Sequence, residues 1–287
     1  MFRFVCAATA LLFALPAFAE GGGSVSREIA DSGLAATEAR LAGLPTRTPD
    51  DTLALGSVRF LRVIERAQRF RWENGMTGSS GMFLPLPVLL LPVPENPDVG
   101  DFDPDSVTQL FSELLQDLAA AQLPLSSLAD GDAASLILDL ADIWLDINGN
   151  GIRDRGEDLL ATVAGLIPLD TAQDIPVIRF DTADAAWASA YTHLLSAVSE
   201  LVLAFDPAPQ VARIQKSREA FQALGAPSPF GMMSSTGDTD AIDVVAIIYL
   251  ALQSQPHAER TAAARTHFLN MVTENRTFWR RVDAETD

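Results

Sequence analysis

The sequence predicts a mainly α protein, a single helical domain with two or three short strands. Three observations point there. Apolar residues recur at three-or-four steps in most segments, the pattern of a helix with one buried face. Capping and stopping residues bracket those segments. No strand–helix alternation and no internal repeat is present, so a parallel α/β sheet or a solenoid is not expected.

The N-terminus stands apart. "MFRFVCAATALLFALPAFAE" has one basic residue, Arg3, an apolar run from Phe4 to Leu15, then Ala17-Phe18-Ala19. This is the layout of a cleaved secretory signal over 1–19, too short to span a bilayer. Cys6 lies inside the apolar run, so a lipid-attached cysteine is not expected. Removing nineteen residues of 287 leaves 268, and the remaining 20–287 reads as one domain. Cys6 is the one cysteine, so the exported part must be stable by packing, or by packing plus a metal. Thiol chemistry is excluded there.

Gly21-Gly22-Gly23-Ser24 reads as a flexible lead-in. Ser24 to Leu44 forms a modest helix, stopped by Gly43 and Pro45. Asp50 caps a stronger one, with Leu53, Phe60, Leu61, Ile64 and Ala67 at helical spacing and Asn74-Gly75 at its end. In "GMFLPLPVLLLPVPENPD" five prolines forbid a helix and a central strand. The stretch over 83–100 is expected to lie as an extended strap on the helical core; a lid or a partner groove is the alternative.

Asp103 and Pro104 start a helix running to about Ala121, its apolar face formed by Val107, Leu110, Phe111, Leu114, Leu115 and Leu118. "ASLILDLADIWLDI" has an ambiguous period: Leu136, Leu138 and Leu140 suit a strand, Leu140, Ile143 and Trp144 a helix. Leu159 to Leu166 reads as a short helix and "IPVIRF" as a brief strand. Asp181 caps the strongest helix, in which Trp187, Ala190, Tyr191, Leu194, Leu195, Val198, Leu201, Val202 and Phe205 form an unbroken apolar row. Gln210 to Leu224 is the next helix, stopped by Gly225. Asp238 or Thr239 caps "DAIDVVAIIYLAL", whose apolar run from Val244 to Leu252 implies burial on all sides. Pro256 opens the final helix, with Phe268, Leu269 and Val272 expected inward and Val282 near its end.

The formal net charge is −18, and loss of Arg3 takes it to −19. Phosphate recognition needs a basic footprint, so nucleic acid or an anionic membrane surface is disfavoured as the main partner. A chain so acidic attracts cations. One motif gives such a cation a place. "DINGNGIRDRGE" over 146–157 sets Asp146, Asn148, Asn150, Gly151 and Glu157 in the register D-x-[DN]-x-[DN]-G-x5-E. Calcium takes six to eight oxygens. Side chains at the first, third and fifth places wrap three oxygens around one point. Gly151 permits the turn that brings in the Ile152 carbonyl, Asp154 binds directly or through a water, and Glu157 supplies two oxygens. Magnesium fits less well because it holds its waters. An Asn-Gly hairpin turn with solvated acids is the plainer reading, but it leaves Glu157 in register unexplained.

The loop resembles EF-hand-type calcium loops of bacterial secreted proteins, including dockerin-like loops and those of surface adhesin modules. The resemblance covers about a dozen residues, and it implies an EF-hand-like site for one Ca2+. Arg153 stands at the eighth place, where an aliphatic residue usually pairs with a second hand, and no second full loop exists. A solitary, weak site is expected, about 10⁻⁵ to 10⁻³ M, clasping the Leu136–Ile147 segment to the helix after the loop. A fainter resemblance, carried by "FDTADAAWASAYTHLLSAVSELVLAFDP" and "FWRRVDAETD", is to a group of secreted bacterial proteins with no assigned activity.

Other constellations weigh less. Asp98, Asp101, Asp103 and Asp105 suit capping and a solvated turn better than a second calcium site, since Ser106 and Ser112 stand where Gly and Glu are needed. Arg59, Arg62, Arg66 and Arg69 form a stripe at helical spacing. It is a solvent face, or a face paired with acidic helices; the alternative is a pocket for an anionic ligand or protein partner. His193 reads as a core or rim residue rather than a ligand. No H-E-x-x-H is present, "TGSSG" at 77–81 does not fit G-x-S-x-G, and the glycines form no nucleotide fingerprint. The sequence therefore predicts a periplasmic or secreted calcium-binding helical protein. The alternative is an exported hydrolase with structural calcium and a carboxylate site that spacing does not reveal.

Overall fold

The described residues form seven helices and one small antiparallel sheet: α1 (Glu20–Gly43), α2 (Pro49–Glu73), α3 (Asp105–Ser127), β1 (Ser135–Asp139), β2 (Val177–Asp181), α4 (Thr182–Phe205), α5 (Ala208–Ala223), α6 (Thr239–Leu252) and α7 (Ala258–Val282). The computed structural model describes residues 20–76, 91–160, 177–224 and 239–284. The signal reading of 1–19, the strap from 83 to 90, the "TGSSG" stretch and most of the Leu159–Leu166 segment lie outside them.

The described residues are helical from Glu20 onward, so the glycines expected as a flexible lead-in belong to helix α1. It breaks at Gly33, whose φ of 78° and ψ of 174° lie outside helical values. Helix α2 is capped by Thr48 rather than Asp50, through a reciprocal capping box with Asp51 and with Pro49 in its first turn. Asp50 does another job: its carboxylate accepts the Ser135 amide at 2.7 Å and ties β1 to the start of α2. Helix α3 runs six residues past the expected Ala121, through Pro124 to Ser127. A proline inside a helix leaves the carbonyl four residues back without its donor. That carbonyl belongs to Ala120, and Arg59 donates to it at 2.9 Å. The sequence rule was met from outside the helix. At Gly56 a Cβ would lie 2.5 Å from the Leu125 side chain, so the bare backbone lets α2 and α3 close.

The ambiguous segment resolves as a strand, then an extended arm. β1 pairs with β2 in the register Ser135↔Asp181 through Asp139↔Val177. β2 passes directly into α4, which Asp181 caps as expected, in a box with Asp184. The main core gathers Ile29, Leu34 and Leu41 of α1, Leu53, Leu55 and Val58 of α2, Leu125, Leu136 and Leu138, and Ile143, Leu145 and Ile147. A smaller cluster of Val63, Leu114 and Leu118 joins α2 to α3. Of the strap, Leu91 and Val93 are buried, the Leu91 carbonyl accepts from buried Arg71 at 2.6 Å, and Asn96 donates to the Trp72 carbonyl at 3.0 Å.

Three burial expectations fail. Trp187 is exposed and stacks on Tyr191, ring centroids 5.5 Å apart, while the buried positions of α4 are mostly Ala, Ser and Thr. Small residues let α3 and α7 approach α4 closely, which moves the contact off the large side chains. In α6, Val245, Tyr249 and Leu252 are exposed. In α7, Phe268, Leu269 and Val272 are 36, 53 and 42 % exposed instead of inward. That helix docks on α4 through the face carrying Ala264 and His267, and Arg281 fixes its rotation by donating to the carbonyls of Thr182 and Leu128 at 2.7 and 2.6 Å.

Candidate metal loop and its surroundings

The buried run Ile143–Ile147 delivers the backbone to Asp146 in an extended form. The two arms of the loop pair: Trp144 bridges Asp158, the Leu145 amide donates to the Glu157 carbonyl at 2.9 Å, and the Leu159 amide donates to the Ile143 carbonyl at 3.0 Å. The loop is thus the closed end of a short hairpin, with no helix leading in. Within it, Gly149 and Gly151 hold φ of 75° and 72°. Those values lie in the left-handed region that glycine enters freely, as expected for the sharp turn at Gly151.

Each expected ligand has a defined place. Asp146 sits against α2. Its amide donates to Glu65 Oε2 at 2.9 Å; its carbonyl accepts from Arg69 at 2.6 Å; its Oδ2 meets the same guanidinium at 3.2 Å. Its Oδ1 is buried and has no hydrogen-bond partner among the described residues. Asn148 and Asn150 each turn the side-chain oxygen onto a backbone amide two residues on, that of Asn150 at 3.0 Å and that of Ile152 at 2.7 Å. Their NH2 groups converge on one oxygen of Asp154, at 2.7 and 2.8 Å. These donors hold the exposed Asp154 carboxyl below the usual carboxylate range. Glu157 is 1 % exposed and lies under the loop. Oε1 accepts the amides of Ile147 and Asn148 at 2.9 and 3.2 Å, and Oε2 accepts that of Asp154 at 2.9 Å.

Hydrogen bonds and one arginine therefore satisfy most of the loop's oxygens. Among the described residues, no three acidic or histidine side chains are gathered closely enough to hold a metal. Arg153, at the eighth place, turns outward to Asp158 and to the Ala141 carbonyl.

Sequence reasoning missed Glu65. It is buried, and burial pushes its carboxyl up, opposed by the Asp146 amide and by Arg62 and Arg69. A signal was present: Glu65, Gln68 and Arg71 recur at three-residue steps, so the polar row falls on a buried side of α2. Glu65 and Arg69, one turn apart, clamp Asp146 between them.

The arginine stripe follows its paired reading. Arg59 and Arg62 meet Glu38 of α1 at 3.0 and 3.3 Å, and Arg66 meets Glu113 and Asp117 of α3 at 2.7 and 2.5 Å. Arg69 meets Asp146. Around these groups lies a polar recess of about 110 Å³. His193 is buried, with its Nδ1 2.9 Å from His267 Nδ1 and with Gln122 against its ring. Asp103 caps α3 by accepting the Asp105 amide at 3.0 Å.

Comparisons with protein-family models, with curated proteins and with solved structures give no match to this chain.

Proposed function

We propose that the chain is an exported calcium-binding protein in which the 146–157 loop takes one Ca2+ and locks the hairpin onto α2. The observation that carries this reading is Asp146 Oδ1, a buried carboxylate oxygen with no donor among the described residues. Such an atom costs free energy unless something positive meets it, and it lies at the first place of a loop whose other places are in calcium register. The side-chain oxygens of Asn148 and Asn150 each use one lone pair on a loop amide and keep another. The Ile152 carbonyl and Asp154 complete the set. Glu157 has three of its roughly four lone-pair sites on amides, so it serves chiefly as the floor of the loop, less as the two-oxygen ligand its position suggests. Bound calcium supplies positive charge that Arg69 otherwise provides to Asp146, so weak affinity is expected.

Calorimetric titration of CaCl2 into the purified chain should give a single site near 10⁻⁵–10⁻³ M. Asp146→Ala should abolish it, and millimolar calcium should raise Tm relative to EGTA. No heat together with an unmoved Tm would sink the calcium reading. Glu157→Ala is the control for the floor role: it should lose roughly 2–4 kcal/mol even in EGTA, because three amides lose their acceptor. The hydrolase alternative has no such support. His193 meets Gln122 and His267 rather than an acid, and Glu38 and Asp117 are ion-paired to arginines.

A further inference from the structure

We infer that the polar recess beside the loop is a binding site for one small oxyanion of the phosphate class, seated on Arg62 and the guanidiniums around it. The recess measures about 110 Å³ and is lined by Arg59, Arg62, Arg66 and Arg69 of α2. Four of the twenty lysines and arginines in a chain of net charge −18 thus border one cavity. The carboxylates on its wall, Glu38, Glu65 and Asp117, are all engaged. Glu38 meets Arg59 at 3.0 Å and Arg62 at 3.3 Å, Asp117 accepts from Arg66 at 2.5 Å, and Glu65 Oε2 takes the Asp146 amide at 2.9 Å. Burial pushes the Glu65 carboxyl up, toward its neutral form, which leaves the wall more positive.

Pairing with these acids leaves donors over. A guanidinium carries five N–H groups. Arg59 and Arg66 each hydrogen-bond through Nε and Nη1, and Arg69 through Nε and Nη2. Among the described residues, Nη2 of Arg59, Nη2 of Arg66 and Nη1 of Arg69 make no hydrogen bond. Arg62 makes none through any of its nitrogens; its contact with Glu38 is an ion pair only. Its side chain is 32 % exposed, so its charge is partly withdrawn from water and still reachable from it. The acids and the Ala120 carbonyl hold Arg59, Arg66 and Arg69 in place before a ligand arrives, which lowers the ordering cost of binding. The spare donors lie on separate forks. One fork satisfies a planar carboxylate, and the chain's own acids already take that role; a tetrahedral oxyanion accepts from several forks at once. The volume is well below the roughly 300–1,000 Å³ of drug-sized pockets. A single ion or one phosphate group therefore enters, and a nucleic-acid backbone does not.

Phosphorus NMR of inorganic phosphate titrated with the full chain tests this, in EGTA and at constant ionic strength. The chelator keeps the outcome separate from that of the calcium loop. Line broadening should follow a saturable, single-site curve. Arg62→Gln should weaken binding at least tenfold with unchanged circular dichroism and urea midpoint, because the fold takes no hydrogen bond from that side chain. Arg66→Lys, which keeps the charge and loses the fork, should weaken it several-fold. Arg265→Gln, exposed on α7 and outside the recess, should change nothing. Glycerol phosphate as competitor tells the sources apart: displacement assigns the site to phosphate monoesters as well, and no displacement assigns it to the free ion. Broadening that never saturates overturns the inference. So does binding that Arg62→Gln leaves unchanged, or that Arg265→Gln weakens as much as Arg62→Gln does.

Discussion

At Gly33 a single residue serves two neighbours. Its left-handed φ breaks α1, and an added Cβ would lie 2.9 Å from the Trp144 ring. The break leaves the carbonyls of the preceding turn without helical donors, and the Trp144 indole supplies one to Ile29 at 2.8 Å. The kink thus seats the residue that leads, two positions later, into Asp146. Gly33→Ala combines a conformation that L residues avoid with overpacking, so it should lower stability by about 2–4 kcal/mol in urea unfolding. Gly43→Ala, with open space at its Cβ and no positive φ, should be close to neutral. Equal effects would mean that the Trp144 contact contributes nothing. The glycine was visible in the sequence, but its partner lies 111 positions away, and no local pattern reports that.

Helix α4 meets α7 across two histidines, and this contact should be sensitive to acid. Burial holds His193 down at about 4, with the charge of His267 adding to it, and burial also lowers His267. Gln122 of α3 faces the pair without charge; Glu200 of α4, itself bound to Arg260 of α7 at 3.0 Å, partly favours a charged His267. The unfolded chain takes up a proton near pH 6.5 and the folded His193 only near about 4. Between those values the unfolded state holds more protons, so stability falls as pH is lowered through that window. Urea unfolding at pH 5 should give about 1–2 kcal/mol less than at pH 7. In a His193→Asn, His267→Asn variant the difference should largely vanish; its persistence would place the sensitivity elsewhere. The sequence reading of His193 as a core residue agrees with its burial. Its partner could not be read, because the expected inward face of α7 was a different one.

Over the whole molecule, the two ends of the described chain are held by different means. Helix α1 is buried by large aliphatic side chains, whereas α7 is pinned by Arg281, which also pairs with Asp130 at 2.9 Å. Arg281→Ala removes donors from the carbonyls of Thr182 and Leu128 and should cost about 2–3 kcal/mol. Hydrogen exchange should then rise across Ala258–Val282 before it rises in α1 or α2. Uniform exchange across the chain would refute this division of labour.

Periodicity and capping by themselves determined the helical class, the Asp181 start of α4, and the mostly correct placing of helices and of one strand, because those signals act within a few residues of each other. The loop register and its glycines were also local. What faces what was settled only in three dimensions. Small residues on α4 drew α3 and α7 close and left Trp187, Phe268 and Leu269 outside. An arginine from α2 satisfied the carbonyl that Pro124 had orphaned and so let α3 run on. Glu65 and Arg69 took hold of Asp146 from another helix. In each case a desolvated group must find a partner, and the partner is fixed by packing across long sequence separations rather than by the neighbouring residues.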